Sequence, residues 1–210
     1  MTKILVVDDH AVVRDGVKRM FDEQPGTVTF GEASTPHEAI TLVREQDWDI
    51  VVLDLALGER SGLEVLQELK TLRPKLPVLI LSMYAEAQYA RRAFKAGASG
   101  YITKDCARAE LVGAITSVLH GRKYVSPTLA ELLIIDLERG TAQPLHETLS
   151  TREFEVMCLI ASGKTVSEIA NILALSDKTI STYRARILEK MAMKTNAALT
   201  HYAIQNKLVS

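Results

Sequence analysis

Short apolar runs alternate with longer segments of helical period through the first half of the chain. Ile4-Leu5-Val6-Val7 runs into Asp8-Asp9, Ile50-Val51-Val52-Leu53 into Asp54, Val78-Leu79-Ile80-Leu81 into Ser82, and Tyr101-Ile102-Thr103 into Lys104. Such runs, rich in β-branched and aliphatic residues, read as strands buried on both faces, predicted at residues 3–7, 27–32, 49–53, 77–81 and 100–103. Between them Val12, Val13, Val17, Met20 and Phe21 share the spacing of one helical face, and Leu63, Val65, Leu66, Leu69 and Leu72 repeat it. Alternating strands and helices predict an α/β domain, a five-stranded doubly wound parallel sheet of flavodoxin-like form.

The pattern changes after Leu119. His120-Gly121-Arg122 ends a helix, Ser126-Pro127 suits the start of another, and that helix is predicted over residues 127–139, stopping at Gly140. Thr141-Ala142-Gln143-Pro144 reads as a linker. Beyond Leu149 strand signals largely vanish. Ser150 and Glu153 have capping-box spacing ahead of Phe154, Val156, Met157, Leu159 and Ile160, and this helix should end at Ser162-Gly163. A second helix starts at Thr165 or Ser167 and carries Ile169, Ala170, Ile172 and Leu173; Leu175-Ser176 turns the chain, and Asp177-Lys178-Thr179-Ile180 opens a third. Two short helices about a tight turn, the second polar and basic outside, are a helix-turn-helix signature. Ile180, Tyr183, Ile187 and Leu188 form the inward stripe, which leaves Lys178, Ser181, Thr182, Arg184, Ala185 and Arg186 to face outward in part. The expected division is an α/β domain at 1–121, a linker helix and linker at 122–146, and an all-α domain at 147–210.

Composition is that of a globular protein, 47% apolar and 24% charged. No apolar run has the length of a membrane helix and the start has no signal-peptide profile, so a cytoplasmic location is expected. Cys106 and Cys158 fall in different predicted domains, which argues against a disulfide framework or a metal cluster. The net charge of −1 is unevenly spread: residues 145–210 hold eight Lys/Arg against six Asp/Glu, the remainder 17 against 20. The excess is small, but Lys178, Arg184 and Arg186 gather around one predicted helix.

Four hydrophilic groups at equivalent strand ends suggest one shared site, because ligands of parallel sheets bind at the strands' carboxyl ends and unpaired buried charge is costly. Adjacent carboxylates with a third nearby make a hard oxygen site suited to Mg²⁺. An aspartate there can attack phosphorus to form an acyl phosphate. On this reading Asp54 is the nucleophile, Asp9 binds the metal directly, Asp8 binds it directly or through water, Lys104 pairs with a phosphoryl oxygen, and Ser82 hydrogen-bonds another. His10, beside the acidic pair, reads as a helix-start residue rather than a ligand, since Mg²⁺ sites rarely recruit imidazole.

These residues carry a resemblance. Val7-Asp8-Asp9-His10, Leu53-Asp54-Leu55 with Gly62, Leu81-Ser82, Ala96-Gly97-Ala98 and Tyr101-Ile102-Thr103-Lys104 resemble the receiver domain of two-component response regulators over residues 1 to about 121. The resemblance implies phosphorylation of Asp54 by a cognate sensor histidine kinase and Mg²⁺ held by Asp8, Asp9, Asp54 and the Ala56 backbone carbonyl. It further implies that Ser82 and Tyr101 are a moving switch, in which a hydroxyl drawn to the phosphoryl group makes room for an inward-turning ring. One departure stands out: Leu57-Gly58 replaces the usual Met-Pro, leaving the ligands intact but loosening the loop.

Leu149 to Val156, Gly163 to Ala170 and Leu175 to Ile180 resemble the LuxR-type DNA-binding domain, so the whole resembles the NarL/FixJ class. Ile180-Ser181-Thr182-Tyr183 stands where many members have Val-Lys-x-His. Alignment suggests Ser181, Thr182 and Ala185 as base readers; Thr179 lies beside them, and Lys178, Arg184 and Arg186 suit phosphate or guanine contacts. The implied protein is a transcription regulator, not an enzyme apart from gaining and losing its own phosphoryl group, that dimerises on phosphorylation and binds double-stranded promoter DNA. Two alternatives stay open on the residues: a Mg²⁺-dependent phosphohydrolase with an aspartyl nucleophile, and a regulator that binds DNA without phosphorylation.

Overall fold

The structure, a computed structural model, describes residues 1–21, 28–57, 60–83, 87–106, 108–127, 129–131, 134 and 144–209. The chain divides into two compact units, Met1–Ile134 and Ile135–Ser210.

In the first unit the strands are β1 (Thr2–Val7), β2 (Val28–Ala33), β3 (Ile50–Leu53), β6 (Val78–Ser82), β7 (Gly100–Thr103) and β8 (Tyr124–Val125). They form one sheet in the order β2-β1-β3-β6-β7-β8, every pairing parallel. Five of the six were expected, within a residue or two; Thr27, the expected first residue of the second, lies outside the described residues. The sixth, β8, adds an edge strand of only two half-buried residues, too short to leave a periodic signal. Helices α1 (Ala11–Arg19), α2 (Pro36–Glu45), α3 (Gly62–Leu72), α4 (Ala87–Lys95) and α5 (Arg108–Leu119) alternate with the strands. The central strands β3 and β6 are buried at every residue, as a sheet covered on both faces requires, and β2 at the edge is only half-buried.

Ile4, Val6, Val17, Ile50, Val52, Leu79, Leu81 and Ile102 form a core with Leu111, Ile115 and Val118 of α5. The α1 stripe is narrower than its spacing suggested. Val17 is buried and Val13, Met20 and Phe21 pack against the core, but Val12, in the first turn, is 84% exposed. Between β3 and α3 lies a hairpin of β4 (Ala56–Leu57) and β5 (Arg60–Ser61); Gly58, half of the Leu57-Gly58 departure, lies outside the described residues. Of the helix expected at 127–139, residues 127, 129–131 and 134 are helical; the rest, with Gly140 and linker residues 141–143, lies outside the described residues.

The described part of the second unit begins with a 3₁₀ turn, Leu145–Thr148, followed by α6 (Thr151–Ala161), α7 (Val166–Ile172), α8 (Asp177–Lys190) and α9 (Asn196–Gln205). Both α6 and α7 start with full capping boxes, Ser150 with Glu153 and Thr165 with Glu168, so Thr165 rather than Ser167 is the start of α7. Phe154, Met157, Ile169, Ile180, Ile187 and Leu199 make the core, whereas Ile172 is exposed. Three charged residues of α6 are also buried, and each is paired: Arg152 with Glu155 at 2.8 Å, and Glu153 with Lys190 at 2.7 Å. Arg152 also donates to the Leu173 carbonyl at 3.1 Å, which satisfies the end of α7. His146 Nδ1 lies 2.9 Å from the Tyr202 hydroxyl and ties the opening turn to α9.

Candidate functional site

The sheet register brings the strand ends level. Val7 pairs with Leu53, Leu53 with Ile80, and Ser82 with Thr103. Backbone ladders run one residue further, Asp54 N–H donating to Val7 O at 2.9 Å and Lys104 N–H to Ser82 O at 2.8 Å. Asp8, Asp54 and Lys104 therefore leave their strands at one edge, and their side chains meet. Lys104 Nζ lies 2.7 Å from Asp54 Oδ2 and 2.7 Å from Asp8 Oδ2, the bond to Asp54 being the well-aligned one. Asp8 and Asp54 are 1% and 2% exposed.

Two buried acids around one ammonium carry more negative charge than they can neutralise. Burial pushes the Asp54 carboxyl up to about 6, against the pull of Lys104 and with added repulsion from Asp8. Burial works to lower the Lys104 ammonium, but the two carboxylates outweigh it and its pKa is raised. Asp54 Oδ1 is buried with no hydrogen-bond partner. An unsatisfied buried carboxylate oxygen, facing acids on two strands, fits a hard cation or a phosphoryl group. Asp8, Asp9, His10 and Asp54 each offer a ligand atom, all within 4.8 Å of one another.

The β1–α1 loop carries contacts that spacing alone did not reveal. Arg14 donates to the Asp8 carbonyl at 2.7 Å and pairs with Glu32 at 3.0 Å, fixing the loop to β2. His10 does occupy the position before α1, as expected, but makes no side-chain cap. Its Nδ1 instead lies 2.6 Å from Asp9 Oδ1 and 3.3 Å from Asp8 Oδ1. The only sequence signal was adjacency to the acidic pair, and the direction of the ring depends on loop dihedrals that adjacency does not specify.

Behind Asp54, the start of α3 is pressed against the strand-end backbone. Gly62 N–H donates to Leu55 O at 2.8 Å, and a Cβ on Gly62 would stand 2.1 Å from Asp54 O. Glycine permits that approach. Ala56 follows at once in β4 and pairs with Ser61, the N-cap of α3. Ser82 and Tyr101 are both fully buried, the tyrosine ring already inside the domain. A groove of about 590 Å³ lined by Trp48, Leu72, Pro74, Leu76 and Pro77 lies at the start of β3 and β6, the opposite end of the sheet from the acids.

In the second unit α8 presents two faces. Ile180 and Ile187 are buried and Tyr183 and Leu188 half-buried, while Lys178, Ser181, Thr182, Ala185 and Arg186 are exposed. Thr179 is half-buried with its hydroxyl on Ser176, and Arg184, also half-buried, donates through Nε to Asn196 Oδ1 at 2.6 Å. Ala174 takes a positive φ of 50° where α7 ends, which turns the chain sharply into α8.

A parallel α/β domain with an acid-and-lysine strand-end site, followed by a helix-turn-helix domain, is the build of a response regulator. The chain belongs to that family: residues 4–116 match the response regulator receiver domain and residues 147–203 the luxR family of bacterial regulatory proteins. It is 34% identical over 210 residues to the response regulator GacA of Pseudomonas aeruginosa, covering 100% of this chain and 98% of that protein. To UvrY of Escherichia coli K12 it is 32% identical, covering 99% and 96%. Among solved structures, a LuxR-family two-component response regulator from Aurantimonas sp. SI85-9A1 is 40% identical over 65% of this chain and 98% of that one, with a TM-score of 0.60. The response regulator RcsB in complex with DNA is 25% identical over 96% of each chain, also with a TM-score of 0.60. The protein is thus a two-component transcription regulator with a receiver domain and a DNA-binding domain. Among the described residues no helix is long and apolar enough to cross a membrane.

Proposed function

We propose that Asp54 accepts a phosphoryl group from a sensor histidine kinase and that the modification controls dimerisation and promoter binding in the cytoplasm. The observation that carries this is the buried Asp54 carboxylate, one oxygen held by Lys104 and the other without a partner. The unpartnered oxygen attacks phosphorus, the bond from phosphorus to the donor's imidazole nitrogen breaks, and that nitrogen leaves with its electron pair. Lys104 shifts from the carboxylate to a phosphoryl oxygen and Ser82 donates its hydroxyl to another. Asp8, Asp9, Asp54 and the Ala56 carbonyl would hold Mg²⁺, which when bound neutralises charge on the transferring group. The chemistry ends with this group gained and later lost to water.

Ser82 and the buried Tyr101 then carry the change to the receiver surface. A dimer places two copies of α8 on neighbouring half-sites, Lys178, Arg184 and Arg186 on phosphates or guanines, and Thr179, Ser181 and Thr182 along the groove. RcsB has been solved as dimers bound to DNA, at 25% identity and a TM-score of 0.61, which supports this mode. The working division is a receiver at 1–121, a linker at 122–146 and a DNA-binding domain at 147–210.

The test is labelling with a small phosphodonor and Mg²⁺, followed by hydroxylamine, which cleaves acyl phosphates. The native protein should take up one hydroxylamine-labile phosphoryl group, sediment as a dimer and bind DNA more tightly, and Asp54→Asn should do none of these. Full labelling of Asp54→Asn would place the acceptor elsewhere.

A further inference from the structure

We propose that His10 is a fourth side-chain ligand of the acidic site, and that it raises the site's affinity for borderline transition-series dications while leaving that for Mg²⁺ almost unchanged. This rests on the reading of the acidic cluster as a divalent-ion site. The independent sign of a ligand there is Asp54 Oδ1, buried in a residue 2% exposed and without a hydrogen-bond partner.

The geometry of His10 is specific. The backbone is extended at φ −88° and ψ 110°, its N–H donates to Asp8 Oδ1 at 2.9 Å, and Arg14 anchors the Asp8 carbonyl. The loop thus sets the ring over the two carboxylates, with Nδ1 2.6 Å from Asp9 Oδ1 and 3.3 Å from Asp8 Oδ1. A ring nitrogen of His10 and one oxygen each from Asp8, Asp9 and Asp54 fall within 4.8 Å of one another. Opposite ligands on a dication with bonds of about 2.1 Å stand about 4.2 Å apart, so a slight closure of the loop puts all four on one ion. The ring is 68% exposed, and an ion that takes the place of the Nδ1 proton now bridging to Asp9 Oδ1 leaves the ring's remaining proton on Nε2, toward water.

Ligand type decides what that fourth atom does. Mg²⁺ is a hard ion that prefers oxygen and keeps its waters, so an imidazole adds little to its binding. Co²⁺, Ni²⁺ and Zn²⁺ bind imidazole well, and for them a nitrogen beside three carboxylates raises affinity.

Titration of the full-length protein with MgCl₂ and separately with CoCl₂ tests this, by calorimetry and by the visible absorption of bound Co²⁺. His10→Gln keeps a polar group beside Asp9 but removes the imidazole, and His10→Ala removes both. The Co²⁺ dissociation constant should rise about tenfold or more in both variants, with a change in the Co²⁺ spectrum. The Mg²⁺ constant should stay within about twofold in His10→Gln. Equal weakening of the two ions would make His10 only a positioning residue for Asp9, and an unchanged Co²⁺ constant would remove it from the site; either overturns the proposal. Binding of neither ion to the native protein would overturn the divalent-ion reading itself, a failure seen separately from loss of Asp54 labelling.

Discussion

At the scale of single residues, the site depends as much on a missing side chain as on its charges. Gly62 lets the start of α3 lie against the Asp54 backbone, where a Cβ would stand 2.1 Å from the carbonyl oxygen and 2.6 Å from Leu55 Cα. Neither atom is the tip of a flexible side chain, so Gly62→Ala must move a strand end or a helix. The expected cost is about 2–3 kcal/mol in chemical denaturation of the receiver. A loss below about 0.5 kcal/mol would mean that α3 retreats freely. Asp8, Asp54, Ser82 and Lys104 were legible because an apolar run ending in a polar residue marks a strand end, and parallel strands bring such ends together. Arg14 and the direction of the His10 ring were not, since both depend on the backbone path of the β1–α1 loop rather than on periodicity.

Element boundaries followed local chemistry where that chemistry was strong. The capping boxes of α6 and α7 start those helices where Ser150 and Thr165 stand, although spacing alone left Ser167 as an alternative for the second. Periodicity misled where an apolar residue sits in the first turn, as Val12 does, or where an element is two residues long, as β8 is. What periodicity could not show at all is the charge inside α6. Glu153 serves the cap, accepting the Ser150 N–H at 2.8 Å, and also pairs with Lys190 of α8 at 2.7 Å. Burial raises its pKa, but the Lys190 ammonium and the Ser150 donors outweigh that and hold the carboxyl below the usual glutamate value. The folded domain therefore binds this proton more weakly than the unfolded chain does. The resulting stability is fully present above the unfolded pKa, roughly 4.3, and is lost as pH falls through the lower folded value. Glu153→Gln should cost about 1 kcal/mol at pH 7, after allowance for the half-exposed lysine. The gap between native and variant unfolding midpoints should close as pH drops below about 4. A gap that stays constant to pH 3 would show that the carboxylate's charge contributes nothing.

At the scale of the whole molecule, charge makes the route from phosphorylation to DNA binding testable. The chain before residue 145 has three more acidic than basic residues, and the remainder has two more basic than acidic. Inside the DNA-binding domain Arg152 and Lys190 are taken up by Glu155 and Glu153, and Arg184 partly by Asn196, so among the described residues Lys178 and Arg186 are the exposed cations of α8 not engaged in an ion pair. Phosphorylation replaces the −1 of the Asp54 carboxylate with about −1.5 to −2 on the acyl phosphate, a net gain of about half to one negative charge in a receiver that is already acidic. Taken alone, that change opposes binding to a polyanion. On the proposed mechanism the gain in DNA affinity comes from joining two DNA-binding domains, which brings both copies of α8 to one site and doubles the phosphates neutralised. Phosphorylated protein should show an affinity gain that fades when protein is diluted below its dimerisation range, and a salt dependence about twice as steep as that of the unphosphorylated protein. In the dimer, Arg186→Ala should lower that slope by about two units, one for each copy of α8. Fluorescence anisotropy on promoter DNA, across salt and protein concentration, reads all three. An affinity gain that survives dilution, with a slope equal to that of the unphosphorylated protein, would show that phosphorylation acts within one chain by uncovering its recognition helix.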